Sequence, residues 1–421
     1  MEITSALDKL FSLHQFGIKL GLDNIKKLLK HLGNPEKSLR VYHIAGSNGK
    51  GSTASFIASI LMEAGYKTGL YTSPHLVRFN ERIRINSVEI PDEYVASFVS
   101  SLDKYIDENE PTFFELTTAM AFKYFAEQKV DYAVIETGLG GRLDATNTIN
   151  DPVASVITTI SLEHTQILGD TLEKIATEKA GIIKDNSNVF CGILKKEAMS
   201  VISEKCAEKH AELFNLGDYI QINSNSAVVN MENFAYNVYE TSLKGNHQLV
   251  NAALAVCVLW NTLDISNLKI FHAGISNVIK NSGIQGRYEI YNQSPKVIFD
   301  AAHNPEGIQS FVETFKNEFK LYNKTELIIG VMRDKNIEGM LSLLGPYFHK
   351  IYAVSIDYER AANKEEIIEA GRNVGVGVIG LDRPEEYLNS FIETKKQNCL
   401  VVLGSIYVLG NIKSKILYKL T

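Results

Sequence analysis

A glycine-rich segment at residues 44–53 (IAGSNGKGST), here called the phosphate loop, lies between a predicted strand and a predicted helix. Glycines let backbone N–H groups turn inward around phosphate oxygens, and the helix that follows presents its positive end to the same anion. Lys50 can reach a transferable phosphate, and the hydroxyl of Ser52 or Thr53 can bind Mg²⁺. The predicted phosphate-binding residues are Ser47, Asn48, Gly49, Lys50, Gly51, Ser52 and Thr53.

The phosphate loop departs from the strict Walker A pattern at two positions. The pattern has glycine where this chain has Ile44, and Ser or Thr where it has Gly51. A tight strand-to-helix turn without a ligand is the structural alternative, but the flanking strand and helix favour phosphate binding. A kinase that phosphorylates a hydroxyl stays open from this segment alone. A GTPase fits poorly, because residues 323–326 (NKTE) match a guanine-reading motif only loosely.

Polar residues lie at the ends of three predicted strands: Ser73, Glu136 and His164. Parallel sheets bind ligands beyond the carboxyl ends of their strands, and these side chains could together hold a divalent cation, although Mg²⁺ usually prefers oxygen. A capping serine and a hydrogen-bonded structural histidine are the alternatives. The position of Glu136 at the end of an apolar strand needs an explanation, because burying an unpaired carboxylate costs free energy. For Lys179, in a largely apolar helix, a solvated lysine paired with a nearby glutamate is the simplest interpretation.

A parallel sheet is needed to bring these residues together. From residue 39 onward, compact apolar runs alternate with helical patterns, which is typical of buried parallel strands joined by helices. The predicted strands are 39–45, 68–72, 131–136, 153–159 and 188–194 in a first series, and 296–300, 326–331, 350–355, 376–380 and 399–405 in a second. The pattern predicts an α/β protein with two mostly parallel sheets.

The two series indicate two domains. The first is predicted at 1–282 and carries the phosphate loop, with a small antiparallel patch at about 218–243, where the pattern becomes short, polar and alternating. A glycine-rich and polar stretch suggests a linker at 283–295. A smaller Rossmann-like α/β domain is predicted at 296–421.

Composition narrows the classes of partner. Charged residues make up 22% and the formal net charge is −6, which argues against a general nucleic-acid binder or a basic membrane binder. The four scattered cysteines suggest reduced thiols in a cytoplasmic protein. The segment Met1–Thr4 has no basic start followed by an apolar run, and no stretch is long and apolar enough to span a bilayer. Neither a signal peptide nor membrane association is therefore expected.

Several motifs occur in order along nearly the whole chain. They are FGIKLGL (16–22), AGSNGKGST (45–53), YTSPHLVRFNERI (71–83), ETGLGGRLDATN (136–147), EHTQILGDTLEKIATEKAGIIK (163–184), LKGNHQLVNA (243–252), GRYE (286–289) and DAAHNP (300–305). With these motifs the chain resembles the bacterial folylpolyglutamate synthase/dihydrofolate synthase family of the Mur-ligase superfamily. The resemblance implies a Mur-ligase-type first domain and an ATP-dependent ligase. Such an enzyme phosphorylates a folate-type carboxylate and joins the acyl phosphate to L-glutamate, starting from dihydropteroate, from tetrahydrofolate or from both.

The resemblance also assigns roles to residues. Catalytic roles fall on Lys50, Glu136, His164 and Lys179. Ser52, Ser73, Glu136 and His164 would surround two Mg²⁺ sites, and Lys179 occupies a position that is carbamylated in the family. Nucleotide contacts fall on the phosphate loop and on Asn251, Arg287, Asp300 and His303. For Asp300, capping of the helix that starts at Pro305 is the structural alternative.

The folate end of the site is assigned in the same way. Thr112, Phe114, Asp144 and Ala145 match positions that line the pteroate site. Phe114 could stack on a flat pterin ring, with ordinary core packing as the alternative. Arg82 could steer an anionic folate or glutamate carboxylate, with a solvated arginine as the alternative.

The chain departs from the family pattern at Glu163, where Asp is usual, and at Ala301, where Gly is usual. Neither change removes a proposed ligand. A cell-wall Mur ligase is the nearest rival, but only about 45 residues precede the phosphate loop, which is short for a separate UDP-sugar domain. An ATP-gated binding or switch protein is the rival of another class. A monomer is expected, because two domains can enclose a site alone.

Overall fold

The structure is a computed structural model that describes residues 2–17, 21–232, 234–356, 358, 360–394 and 396–417. Residues 18–20 of the predicted FGIKLGL motif lie outside the described residues. The chain divides into two units. The first unit comprises Met1–His75, Phe79–Ser242 and Leu249–Ile284, and the second comprises Leu76–Arg78, Leu243–Gln248 and Gln285–Thr421.

Within the described residues, the first unit is built on an eight-stranded sheet. Its strands are β1 (Val41–Ala45), β2 (Thr68–Tyr71), β3 (Ile83–Ile85), β4 (Val88–Glu89), β5 (Tyr132–Glu136), β6 (Ala154–Ile157), β7 (Asn188–Cys191) and β8 (Glu212–Asn215). The order is β4-β3-β2-β5-β1-β6-β7-β8. β2, β5, β1, β6, β7 and β8 pair in parallel, and β3 and β4 add an antiparallel edge. The buried apolar runs predicted to be parallel strands are therefore confirmed.

Helices connect and cover these strands. They are α1 (Ile3–Ser12), α2 (Asp23–His31), α3 (Lys50–Glu63), α4 (Asp92–Ser101), α5 (Asp103–Asn109), α6 (Phe113–Glu127), α7 (Thr165–Leu168), α8 (Leu172–Ala180), α9 (Lys196–Glu208), α10 (Asn246–Thr262), α11 (Leu268–Ser276) and α12 (Val278–Ser282). Helix α3 is buried on nearly every side, from Ser52 to Leu61, which explains its all-round apolar character. No helix in the described part of the chain is both long and apolar enough to cross a bilayer.

The polar, alternating stretch predicted as an antiparallel patch forms a separate small sheet. Its three strands, counted over the described residues, are β9 (Ile220–Ile222), β10 (Ala227–Met231) and β11 (Phe234–Val238). Both pairings are antiparallel. In β11 the residues alternate between buried and exposed, as expected for a sheet with one covered face.

The second unit has a six-stranded sheet within the described residues, in the order β12-β13-β17-β14-β15-β16. Its strands are β12 (Glu289–Gln293), β13 (Lys296–Asp300), β14 (Thr325–Gly330), β15 (Lys350–Ala353), β16 (Val378–Gly380) and β17 (Cys399–Gly404). Its helices are α13 (Pro305–Phe315), α14 (Ile337–Leu344), α15 (Lys364–Asn373), α16 (Pro384–Glu393) and α17 (Ile406–Leu417). All pairings are parallel except that of β12 with β13.

Two features of the second unit differ from the sequence pattern. Strand β12 lies inside the stretch predicted as a linker, where it forms a hairpin with β13. The short segment Leu76–Arg78, far away in sequence, also belongs to this unit. Leu76 is buried in its core, and a Cβ on Gly410 would lie 1.9 Å from the Leu76 carbonyl oxygen. Glycine at 410 therefore allows helix α17 to lie against this segment.

Candidate active site

The phosphate loop connects β1 to α3 as predicted. Its backbone needs glycine at two points: Gly46 has φ of 154° and Gly49 has φ of 84°. A Cβ on Gly49 would lie 2.7 Å from Oδ1 of Asn251, so this predicted nucleotide-contacting residue lies directly beside the loop. The loop and the start of α3, with Asn251 beside them, provide the glycine-rich backbone and helix N-terminus that commonly bind phosphate oxygens.

The loop is held in place by the residues that follow β6. The Thr158 hydroxyl donates to the Asn48 carbonyl at 2.6 Å, and the Asn48 N–H donates to Thr159 Oγ1 at 3.0 Å. The Ser161 N–H donates to Ser47 Oγ at 2.9 Å. These partners are not among the residues predicted from the sequence, although hydroxyl residues directly after a predicted buried strand are a visible signal.

Lys50 folds back over the loop that precedes it. Its Nζ donates to the carbonyl oxygens of Gly46 at 2.8 Å and Ser47 at 3.3 Å. The ammonium group therefore lies beside the backbone that would surround a phosphate, where it can offset the charge of a triphosphate.

Replacing Gly46 with alanine is expected to lower Tm by about 5 °C or more and to abolish binding of a non-hydrolysable ATP analogue. The added Cβ would lie 1.9 Å from Oγ1 of Thr158, one of the groups that hold the loop, and φ would be strained as well. The matched control is Gly65→Ala, which has φ of 89° but no atom within 4 Å of the new Cβ. It should cost only about 3 °C. Equal melting and normal nucleotide binding in both variants would contradict this account.

Glu136 ends strand β5 beside the phosphate loop and is 4% exposed. Its Oε2 accepts a hydrogen bond from the Ser73 N–H at 3.0 Å, so the structure brings these two predicted metal ligands together. A Cβ on Gly51 would lie 3.5 Å from the same Glu136 oxygen. A serine or threonine at this position, as in the strict Walker A pattern, would place its hydroxyl group near the carboxylate, and glycine leaves that space open.

The residue types around Glu136 fit magnesium. Mg²⁺ takes oxygen ligands and is commonly held by one or two carboxylates together with hydroxyls, waters and substrate phosphates. Glu136, Ser73 and Ser52 offer such oxygens, with Ser52 buried at the start of α3. The neighbouring Thr53 hydroxyl is buried and has no hydrogen-bond partner among the described residues. Those residues contain no cluster of three or more His, Cys, Asp or Glu suited to a metal, so serine and phosphate oxygens would have to complete the set.

His164 lies directly before helix α7 with φ of 45° and ψ of 41°, a left-handed conformation that is uncommon for histidine. Its carbonyl accepts from the Ile167 N–H at 2.8 Å, so the backbone of this residue starts the short helix. Strained non-glycine residues of this kind are enriched at functional sites, and the metal-binding role of His164 stays a prediction.

Lys179 is 1% exposed and forms an ion pair with Glu163, with 2.7 Å between Nζ and Oε1. The predicted solvated lysine is therefore wrong, because the side chain points into the unit rather than to water. The pKa of Lys179 is lowered to about 8, mainly by burial. The attraction of Glu163 acts in the opposite direction, and the positive charge of Lys50 contributes to the lowering. Burial alone would raise the pKa of Glu163, but Lys179 and Lys50 together bring it below its usual range. Glu163 thus links Lys179 electrostatically to the phosphate loop.

The residues predicted for the folate end lie around one loop, residues 137–145 (TGLGGRLDA), here called the glycine-rich loop. Asp144 organises it: Oδ2 accepts from the N–H groups of Gly138 at 2.9 Å and Leu139 at 2.8 Å. A Cβ on Gly138 would lie 2.5 Å from the ring of Phe114, so this ring lies against the loop. Ala145 is buried next to Asp144. The structure therefore brings together Phe114, Asp144 and Ala145.

Thr112 has a clear structural task. It caps helix α6 in a capping box with Glu115, whose Oε2 accepts from the Thr112 N–H at 2.7 Å and from its hydroxyl at 2.9 Å. The cap fixes the start of the helix that carries Phe114. The contact of Thr112 with a substrate stays a prediction.

Arg82 is only 6% exposed, so the alternative that it is a solvated surface arginine is wrong. Its Nε donates to Nδ1 of His75 at 2.7 Å, and its guanidinium carbon lies 5.1 Å from the centre of the Phe113 ring. Burial, with Arg82 adding to it, lowers the pKa of His75 to about 3, so this imidazole stays neutral and accepts the bond. His75 and Phe113 are not among the residues predicted from the sequence, because neither the hydrogen bond nor the ring contact has a local sequence pattern.

In the second unit, Asp300 ends strand β13. It accepts hydrogen bonds from the backbone N–H groups of Tyr288 at 2.7 Å and Ala302 at 2.8 Å. It does not cap helix α13, because that cap is the Asn304 side chain, which accepts from the Gly307 N–H at 2.8 Å. The capping alternative for Asp300 is therefore wrong.

The remaining predicted residues of the second unit lie around Asp300. Burial raises the pKa of Asp300, and Arg287 partly offsets this, so the two residues interact electrostatically. His303 Nδ1 lies 2.9 Å from the Ala301 carbonyl oxygen. The first two residues of the GRYE motif thus lie beside the DAAHNP motif, because β12 and β13 are antiparallel and the start of β12 lies next to the end of β13.

Both units match known domain families. Residues 44–259 match the model of the Mur ligase middle domain, and residues 286–406 match the model of the Mur ligase glutamate ligase domain. Among individual proteins, the chain is 38% identical to a dihydrofolate synthase/folylpolyglutamate synthase of Bacillus subtilis over 96% of both chains. It is 32% identical to the protein of the same name from Escherichia coli, over 97% of this chain and 94% of the relative.

Solved structures agree with these relatives. An Escherichia coli FolC structure in complex with DHPP and ADP superposes with a TM-score of 0.87 at 31% identity, covering 100% of this chain and 99% of the other. A Mycobacterium tuberculosis folylpolyglutamate synthase complexed with ADP and AMPPCP gives a TM-score of 0.85 at 29% identity, covering 98% and 99%.

Proposed function

Since the chain belongs to the dihydrofolate synthase/folylpolyglutamate synthase family of Mur ligases, we propose that it uses ATP to join L-glutamate to a folate-type carboxylate. The observation that carries this proposal is the phosphate loop beside the Glu136 carboxylate, in a chain that matches these ligases from end to end. The acid is dihydropteroate, a tetrahydrofolate or both.

The chemistry explains why such a site is needed. A carboxylate is a poor electrophile, so the acid first takes the γ-phosphoryl group of ATP and ADP leaves. The amino group of glutamate then attacks the acyl phosphate, an amide bond forms, and phosphate leaves with the bonding electron pair. The carboxylate and the triphosphate repel each other, and Lys50 together with the N–H groups of the phosphate loop offsets this repulsion. Mg²⁺, when bound, would supply further positive charge to offset this repulsion.

We infer that Ser52, Ser73, Glu136 and His164 hold this metal in two sites. The hydrogen bond between Ser73 and Glu136 and the open space at Gly51 support the first three. The unusual backbone of His164 supports the fourth.

We also infer that Lys179 is carbamylated in the working enzyme. Carbamylation requires a neutral amine, and burial makes the neutral form more accessible at Lys179 than at an exposed lysine. The product is an anion, which would lie beside the anionic Glu163 and so needs a nearby cation. The modification is therefore expected to accompany metal and nucleotide binding.

The acid substrate is assigned to the glycine-rich loop and its surroundings. Thr112, Phe114, Asp144 and Ala145 would take the pterin end, with the half-buried Phe114 ring offering a flat face. Arg82 would attract a carboxylate of the acid or of glutamate, because His75 and Phe113 hold its guanidinium group in place. Nucleotide contacts are assigned to Asn251, Arg287, Asp300 and His303.

The closing test is a phosphate-release assay combined with mass spectrometry of the product. With ATP and Mg²⁺, release is expected only when both an acid and L-glutamate are present, and the product should gain one glutamate. Dihydropteroate and tetrahydrofolate are compared side by side. ATP hydrolysis that is indifferent to both substrates would favour the switch protein. Activity only with a UDP-sugar peptide acid would favour the cell-wall ligase.

We further propose that the protein works as a monomer in the cytoplasm and needs neither nucleic acid nor a membrane. The negative net charge supports the absence of nucleic acid. A single species of about 47 kDa in sedimentation would agree with a monomer.

A further inference from the structure

A fully buried histidine lies in the strand that leads to the phosphate loop. His43 is the third residue of β1, it is 0% exposed, and neither the phosphate loop nor the proposed metal site uses it. Its Nε2 lies 2.8 Å from the Thr146 hydroxyl oxygen. A buried imidazole costs free energy that a valine or leucine in the same strand would not cost, so its hydrogen bond invites an explanation.

The direction of this hydrogen bond follows from the next one. The Thr146 hydroxyl donates to Oδ1 of Asp144 at 2.6 Å, beside the Thr146 N–H that donates to the same oxygen. Thr146 therefore gives its hydrogen to Asp144 and must accept from the Nε2–H of His43. This leaves Nδ1 of His43 without a hydrogen, and it has no partner in the part of the chain that the structure describes. Burial, with Lys184 adding to it, lowers the pKa of His43 to about 3, which is consistent with a neutral ring.

The chain of hydrogen bonds ends on the glycine-rich loop. Asp144 accepts from Thr146 through Oδ1 and from the Gly138 and Leu139 N–H groups through Oδ2. Gly138 is the residue against which the Phe114 ring lies. A continuous, directional path therefore runs from β1 to the backbone that supports this ring.

We propose that His43 is a positioning residue for the acid substrate, acting through Thr146 and Asp144 to fix the glycine-rich loop relative to the strand that carries the phosphate loop. The proposal rests on the proposed function, because it concerns affinity for a pteroate-type acid. Without the histidine, the Thr146 hydroxyl loses its donor and can turn away from Asp144. The loop would then sample other positions, and the acid would bind less tightly while ATP would not.

The test compares two substitutions of His43 in the full chain. Glutamine can place an amide N–H near the position of Nε2, whereas leucine fills the space without a donor. His43→Leu is expected to raise KM for the acid about tenfold, and His43→Gln less than threefold, with KM for ATP changed less than twofold in both. Equal loss in both variants, or a rise in KM for ATP as large as that for the acid, would overturn the proposal.

A second pair tests the path from the other side. Thr146→Val removes the hydroxyl at nearly constant volume, and Thr146→Ser keeps it. The valine variant should reproduce the rise in KM for the acid, the serine variant should not, and His43→Leu combined with Thr146→Val should be no worse than Thr146→Val alone. Independent, multiplying effects would show that the two residues do not act along one path.

These outcomes are distinct from a failure of the proposed function. If the wild-type chain forms no glutamylated product from any pteroate-type acid, the function fails before any variant is made. If the wild type is active and the KM pattern is absent, only the role of His43 fails.

Discussion

Replacing Glu136 with glutamine is expected to lower kcat for amide formation by about three orders of magnitude while the protein stays folded. The change removes one negative charge at nearly constant volume. Glutamine can still accept the hydrogen bond that Glu136 takes from the Ser73 N–H at 3.0 Å, so the strand end should keep its position. The lost charge is the one proposed to hold Mg²⁺ next to the phosphate loop.

The measurement is phosphate release in single-turnover conditions, with circular dichroism and Tm as checks on the fold. The matched control is Glu36→Gln, which makes the same change at a buried carboxylate just before β1, at the opposite end of that strand from the phosphate loop. It should retain nearly full activity. Amide synthesis by Glu136→Gln at a rate near that of the wild type would remove Glu136 from the metal site.

The second large effect is expected at Lys179. Lys179→Ala should lower kcat by about two to three orders of magnitude, and added acetate should restore part of the rate by supplying the missing carboxylate. Because the substitution leaves Glu163 buried without its partner, some loss of stability is also expected. Rescue by acetate separates the two effects, since acetate cannot restore the activity of unfolded protein.

The modification itself can be observed with ¹³C-labelled bicarbonate and NMR. In the wild type a carbamate signal should appear with Mg²⁺ and nucleotide, be absent in Lys179→Ala, and grow as the pH rises from 7 to 9. The direction follows from the pKa of about 8, because the amine that reacts with CO₂ is the deprotonated one. If the wild type shows no carbamate signal during turnover, Lys179 is not carbamylated. A loss of activity in Lys179→Ala would then reflect only the loss of its structural ion pair with Glu163.

Most of the fold could be predicted from the sequence, because buried parallel strands are apolar along their whole length. The run at 131–136 and the run at 399–405 are clear examples, and β5 and β17 occupy them. Strand β12 could not be identified in this way. It lies at the edge of its sheet and none of its residues is fully buried, so its sequence EIYNQ has no apolar run.

The candidate site was predicted where the chemistry is local in sequence. The phosphate loop carries its glycines, lysine and hydroxyls within ten residues, so its function is visible in one segment. The burial of Arg82 and the pairing of Lys179 with Glu163 were not visible, because both depend on contacts with other elements. Resemblance to a family supplied the role of Lys179, whereas the residue alone suggested the opposite environment.

The interleaved course of the chain has a practical consequence. Because Leu76–Arg78 and Leu243–Gln248 are part of the second unit, a protease nick near residue 285 would not release that unit as an intact piece. A fragment starting there would lack Leu76, and helix α17 would expose the apolar surface that Leu76 covers. The two fragments of such a cleaved protein should instead remain associated. Any attempt to excise, swap or circularly permute the second unit must include the segments Leu76–Arg78 and Leu243–Gln248.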